Sequence, residues 1–116
     1  MASILLADDD KGTLELVRRA LELDGHRVTT AEDGSEALAL LEAGTFALLV
    51  ADVEMPGLDG IELARRARQR LPAIRLVLMS GYAEGLEKAR NLAGVRLVSK
   101  PFGIDQMRAE ARAALA

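Results

Sequence analysis

Ala47-Leu48-Leu49-Val50-Ala51-Asp52-Val53-Glu54-Met55-Pro56-Gly57-Leu58-Asp59-Gly60 is the stretch that decides the fold. An apolar run of this length, bounded by turn residues, reads as a strand buried on both faces. The pattern places that strand over Phe46–Ala51, with Asp52 at its carboxyl end and a Pro/Gly/Asp loop behind it. Open α/β sheets gather their ligands at the carboxyl ends of strands. Asp52 is therefore expected at a working edge.

Upstream, Ser3–Ala7 is a second apolar run, and it breaks directly into Asp8-Asp9-Asp10. An aspartate oxygen satisfies free N–H groups in a helix's first turn, so Asp10 is a natural N-cap. Leu14, Val17 and Leu21 then fall on one helical face, and Gly25 is placed to end that helix in the left-handed region. Arg27–Ala31 reads as a weakly alternating strand. Asp33 opens a helix with Glu36 three residues on, a variant capping box, and Ala37, Leu38, Leu40 and Leu41 form its apolar side before Gly44 stops it.

Downstream, Asp59 caps a helix carrying Ile61, Leu63, Ala64, Ala67 and Leu71, and Pro72 is its stop signal. Ile74–Met79 reads as a strand ending in Ser80-Gly81. Residues 82–94 form the weakest helical segment, with Gly85 inside it and few long apolar residues, so a short or mobile helix is expected. Val95–Val98 is the last strand, Ser99-Lys100-Pro101-Phe102 follows, and Ile104–Leu115 is the last helix. Five strands alternating with five helices imply right-handed βαβ units, an α/β doubly wound parallel sheet.

Composition narrows the function. A chain of 116 residues is one domain and can bury roughly two-thirds of its unfolded surface. With no cysteine, disulfides and thiolate metal sites are excluded, which fits a cytoplasmic protein. A net charge of -3 gives no footprint for nucleic acid. The N-terminus has no signal-peptide pattern and no apolar run is long enough to insert in a membrane. The single histidine, His26, argues against a His-rich metal site and reads as a surface residue without chemistry.

A parallel sheet brings the ends of strands one, three, four and five to one edge, and with them Asp8, Asp9, Asp52, Ser80 and Lys100. Clustered carboxylates repel one another and raise a proton affinity unless a cation intervenes. Carboxylate oxygens plus water suit a hard cation such as Mg²⁺. A metal, an ammonium and a hydroxyl around one carboxylate make a site for a phosphoryl group, which the carboxylate can accept covalently. Each feature has a plain reading too. The acidic triplet can be a solvated turn, Ser-Gly an ordinary turn, Tyr82 a packed, half-exposed aromatic, and the C-terminal Ala-Leu-Ala a frayed helix end.

Taken together and in order, Ile4-Leu5-Leu6-Ala7-Asp8-Asp9, Asp52 with Met55-Pro56-Gly57-Leu58-Asp59-Gly60, Ser80-Gly81 and Lys100-Pro101-Phe102 resemble the response-regulator receiver domain. The resemblance covers essentially the whole chain and implies one receiver domain over 1–116, with no output domain after the last helix. It implies the flavodoxin-like, CheY-like sheet order 2-1-3-4-5. It further implies that Asp52 is phosphorylated by a histidine kinase or histidine phosphotransfer protein with Mg²⁺ (or Mn²⁺). Asp9, Asp52 and the Glu54 carbonyl would bind the metal, Asp8 would hold a metal-bound water, and Ser80 and Lys100 would contact the phosphoryl group. The Lys100-Pro101 peptide would be cis.

Two features depart from the family pattern. Leu97 stands where an aromatic switch residue is common, which leaves Tyr82 as the candidate replacement, and serine replaces the commoner threonine at position 80. Leu58–Arg66 and Ser99–Phe102 are similar to CpdR-like regulators, which deliver substrates to a ClpXP-type protease. The resemblance thus implies a phosphoacceptor rather than an enzyme, signalling through protein contacts. Its rivals are a phosphate-sink receiver, an adaptor indifferent to phosphate, and a small aspartyl-phosphate phosphohydrolase with Glu54 as its second acid.

Overall fold

A computed structural model describes residues 1–116. Its strands are β1 (Ser3–Ala7), β2 (Arg27–Ala31), β3 (Leu48–Asp52), β4 (Arg75–Ser80) and β5 (Arg96–Ser99), all parallel in the order β2-β1-β3-β4-β5. Its helices are α1 (Lys11–Leu23), α2 (Gly34–Ala43), α3 (Gly60–Arg70), α4 (Ala83–Ala89) and α5 (Ile104–Leu115). The chain runs from β1 outward to β2, then crosses back past β1 and builds β3, β4 and β5 in the other direction. That reversal opens a crevice at the carboxyl ends of β1 and β3, where the strand order switches.

The two faces of the sheet explain the near-continuous apolar strands. Leu5, Ala7, Leu49, Ala51, Leu76 and Leu78 pack against Leu41 of α2, Leu63 and Ala67 of α3 and Ala89 of α4. Alternate residues Ile4, Leu6, Leu48, Val50, Val77 and Met79 pack on the other face against Val17 and Leu21 of α1 and Met107 and Ala111 of α5. A right-handed crossover puts helices on opposite faces when the chain changes its direction of travel along the sheet. The central strands are therefore buried beyond their first residues, while the edge strands β2 and β5 are largely half-buried or exposed.

The aspartate caps form as the residue types dictate. Asp10 accepts the Thr13 N–H at 2.9 Å, Asp33 that of Glu36 at 2.8 Å and Asp59 that of Glu62 at 2.8 Å. Glu36 reaches back one residue beyond its cap, to the Glu32 N–H at 2.6 Å. Gly25 follows α1 at φ +83°, the left-handed turn expected of it.

Strand limits differ from the hydrophobic pattern. β3 begins at Leu48 rather than Phe46, because Phe46 packs against the core from outside the ladder. β4 begins at Arg75, since the Ile74 N–H turns back to the Leu71 carbonyl, and it runs through Ser80. β5 is shifted one residue, to Arg96–Ser99. The weak helix is α4, only 7 residues long. His26 plays a structural part, since its Nδ1 accepts the Ala2 N–H at 3.1 Å and so joins the chain's start to the turn before β2.

Candidate functional site

Asp8 continues β1 by one residue, its N–H donating to the Ala31 carbonyl at 3.1 Å, and its side chain is fully buried. Asp8 Oδ1 accepts the Asp10 N–H at 2.9 Å, and Oδ2 accepts from Lys100 Nζ at 2.8 Å. Asp9 is exposed beside it. Asp52 is the last residue of β3 and is 5% exposed. Lys100 is placed by β4, because its N–H donates to the Ser80 carbonyl at 2.8 Å; its Nζ lies 3.4 Å from Asp52 Oδ2. The Lys100–Pro101 peptide bond is cis.

Oxygens of Asp8, Asp9 and Asp52 lie within 4.8 Å of one another. Burial, and then the charge of Asp8, push the Asp52 carboxyl up to about 6, with Lys100 pulling the other way. Burial works against the Lys100 charge, but its hydrogen bond and attraction to Asp8, reinforced by Asp52, hold its proton more tightly than usual. Asp52 Oδ1 is buried and has no hydrogen-bond partner. Such an orphaned oxygen among three carboxylates fits a hard divalent cation, which would satisfy it and relieve the repulsion.

The loop behind Asp52 is braced by the backbone. The Val53 N–H donates to the Met79 carbonyl at 2.8 Å and the Gly60 N–H to the Val53 carbonyl at 2.9 Å. A Cβ on Gly60 would stand 2.2 Å from the Asp52 carbonyl oxygen, so α3 starts against the backbone of Asp52 itself.

The remaining expected residues are arranged differently from Asp8, Asp9, Asp52 and Lys100. Ser80 is fully buried, and its hydroxyl sits on the Glu54 carboxylate, 2.8 and 2.9 Å from the two oxygens. The receiver resemblance implies a role for the Glu54 carbonyl and says nothing of this side-chain bond. Its one trace in the sequence is Gly85, a helix weakener that clears the space into which Glu54 points without naming the bond. Tyr82 is 66% exposed, so its ring faces solvent rather than packing half-buried. It meets Ser80 only through its backbone, with the N–H donating to Ser80 Oγ at 3.0 Å. Leu97 packs, partly buried, against the core face shared by α2, α3 and α4.

The family profile of the response regulator receiver domain matches residues 4–112. The chain belongs to the response regulator receiver domain family. This receiver domain is 38% identical over 104 residues to the response regulator receiver protein CpdR of Brucella abortus, covering 88% of this chain and 87% of that protein. It is 35% identical over 114 residues to the response regulator MprA of Mycolicibacterium vanbaalenii, covering 97% of this chain but 49% of that protein. The receiver domain thus spans about half the length of relatives such as MprA. Among solved structures, the response regulator TrrA of Thermotoga maritima, in complex with Mg²⁺-BeF, superposes with a TM-score of 0.88 at 30% identity, covering 99% of this chain and 100% of that one. Membership makes the protein a component of two-component signalling, with the doubly wound CheY-like sheet described above. No helix is long and apolar enough to cross a membrane.

Proposed function

We propose that this receiver domain accepts a phosphoryl group on Asp52 from a histidine kinase or histidine phosphotransfer protein, and signals through protein contacts that change with phosphorylation. The observation that carries the reading is the unpartnered Asp52 oxygen, buried among carboxylates with Lys100 alongside. In the transfer, an Asp52 oxygen forms the O–P bond as the P–N bond to the donor histidine breaks, and the electron pair leaves on that nitrogen. Asp9, Asp52 and the Glu54 backbone carbonyl would hold Mg²⁺ (or Mn²⁺), with Asp8 holding a metal-bound water. The ion would neutralise charge on the phosphoryl oxygens. Lys100, fixed by its bond to Asp8, supplies the second positive charge from the protein. Ser80 would donate its hydroxyl to a phosphoryl oxygen.

The chain acts, in this reading, as one receiver domain over 1–116, and its output is a bound partner. The similarity to CpdR supports a ClpX-type protease component as that partner. Tyr82, close to Ser80 through its backbone, would take over the switch role that Leu97 does not fill. Glu54, the acid an aspartyl-phosphate hydrolase needs free, is engaged by Ser80, which favours a stable acceptor over a turnover enzyme.

The test is incubation with acetyl phosphate and Mg²⁺, followed by intact-mass measurement. Wild type should gain one base-labile phosphate and Asp52→Ala none. Equal labelling of the two proteins would end the proposal. Pull-down of a ClpX-type unfoldase with and without the phosphodonor then separates an adaptor, whose binding changes, from a phosphate sink, whose binding does not occur.

A further inference from the structure

Ser80 has a single hydroxyl proton, and three acceptor atoms surround it. They are the Glu54 oxygens at 2.8 and 2.9 Å and the Tyr82 carbonyl at 3.0 Å, while the hydroxyl oxygen accepts the Tyr82 N–H at 3.0 Å. A charged acceptor takes a proton in preference to a neutral one, so the proton is committed to Glu54. The first turn of α4 lies directly over this pair. A Cβ on Gly85 would stand 2.0 Å from Glu54 Oε2 and 2.6 Å from Ser80 Oγ. The backbone that leads into α4 is tied to the same hydroxyl by the Tyr82 N–H, with the Tyr82 C=O also within reach at 3.0 Å.

We propose that the Glu54 side chain is a positioning residue that latches Ser80: it holds the hydroxyl and the start of α4 in the resting arrangement, and Ser80 serves a phosphoryl group on Asp52 only after Glu54 lets go. This rests on the phosphoacceptor reading above. The hydroxyl cannot give its proton to both a phosphoryl oxygen and Glu54, so the two partners compete. Release has somewhere to go: an open groove adjoins the pair, lined by Glu54, Tyr82 and Gly85 together with the acids Asp59 and Glu84 and one cation, Lys88. Phosphoryl capture would thereby loosen the first turn of α4, the shortest of the five helices.

The test measures the affinity of beryllofluoride in saturating Mg²⁺ by calorimetry. Tyr82 emission follows the same titration, since Tyr82 is the only tyrosine and there is no tryptophan. Glu54→Ala should bind roughly tenfold tighter than wild type. Glu54→Gln keeps an oxygen acceptor but loses the charge that commits the proton, and its gain should fall between wild type and Glu54→Ala. In a Ser80→Ala background, removing Glu54 should give a much smaller gain, the remainder being the loss of a negative charge that acts on Asp52. A metal-free readout runs beside this: in EDTA, the Tyr82 amide should exchange its hydrogen faster in Glu54→Ala than in wild type.

Unchanged or weaker binding by Glu54→Ala, a gain equal in Glu54→Gln, a gain undiminished without Ser80, or unaltered Tyr82 exchange would each overturn the latch. If wild type binds and Asp52→Ala does not, the phosphoacceptor reading stands even where the latch fails. If wild type does not bind at all, the phosphoacceptor reading falls and takes the latch with it.

Discussion

Asp52 loses its proton against the preference of its surroundings. Its carboxyl moves from 3.8 in the free side chain to about 6 in the fold. Between those values the folded state holds a proton that the unfolded chain has released, so stability falls as pH rises through the window and stays low above it. In EDTA, Asp52→Asn should therefore be more stable than wild type near neutral pH, by on the order of 2 kcal/mol. The gap should close toward about pH 4 in urea melts recorded across the range. Equal stability at neutral pH would mean that the carboxylate is not held under this tension. The same scale shows what the sequence made legible. Asp8, Asp9, Asp52 and Lys100 could be grouped because strand ends in a parallel sheet share an edge, a consequence of topology alone. The Glu54–Ser80 bond could not, because it depends on which way a flexible side chain turns, and that is decided by the room Gly85 leaves.

Among elements, α3 is seated with little slack near the site. Its first residue, Gly60, has backbone rather than a flexible side chain at 2.2 Å from where a Cβ would be, so the neighbour cannot simply swing aside. Gly60→Ala should cost about 2–4 kcal/mol and shift the amide resonances of Asp52 and Val53, measured by denaturant melts and backbone NMR. An alanine variant as stable as wild type would show that the β3–α3 loop yields easily. The first three helices were legible at their starts because Asp10, Asp33 and Asp59 are caps with a chemical reason to be there, a signal that α4 and α5 lack. Strand starts were less legible: hydrophobicity continues through Phe46 and Ile74, which pack into the core without joining the ladder, so burial and hydrogen bonding end at different residues. The shortness of α4 follows from its lack of long apolar side chains, which is visible in the sequence.

For the whole molecule, the two helices on one face are fastened at one end by charge. Arg108 of α5 bonds Asp24, just past α1, at 2.7 Å, and Arg112 reaches the same carboxylate at 3.5 Å. Both arginines sit near solvent, so salt should screen the attachment. Arg108→Ala should lower Tm in low salt and lower it less in about 1 M NaCl, where the Debye length is short. A loss independent of salt would assign the effect to lost packing of the arginine stem instead. The sheet order is the property of the whole that the sequence alone left open, since alternating strands and helices imply a parallel sheet without saying which strand neighbours which. The receiver resemblance supplied it.

Lys100 and Asp8 meet across 92 positions of chain. During synthesis, Asp8 and Asp52 exist long before the lysine that pairs with them has been made. A fragment or a misfolded copy carries Asp52 without the ammonium that lies beside it in the fold. If Asp52 is the phosphoacceptor proposed above, its labelling would be a census of finished molecules: a kinase needing the assembled edge would pass over nascent and damaged copies, and the phosphorylated fraction of a preparation would set a floor on the fraction that has folded.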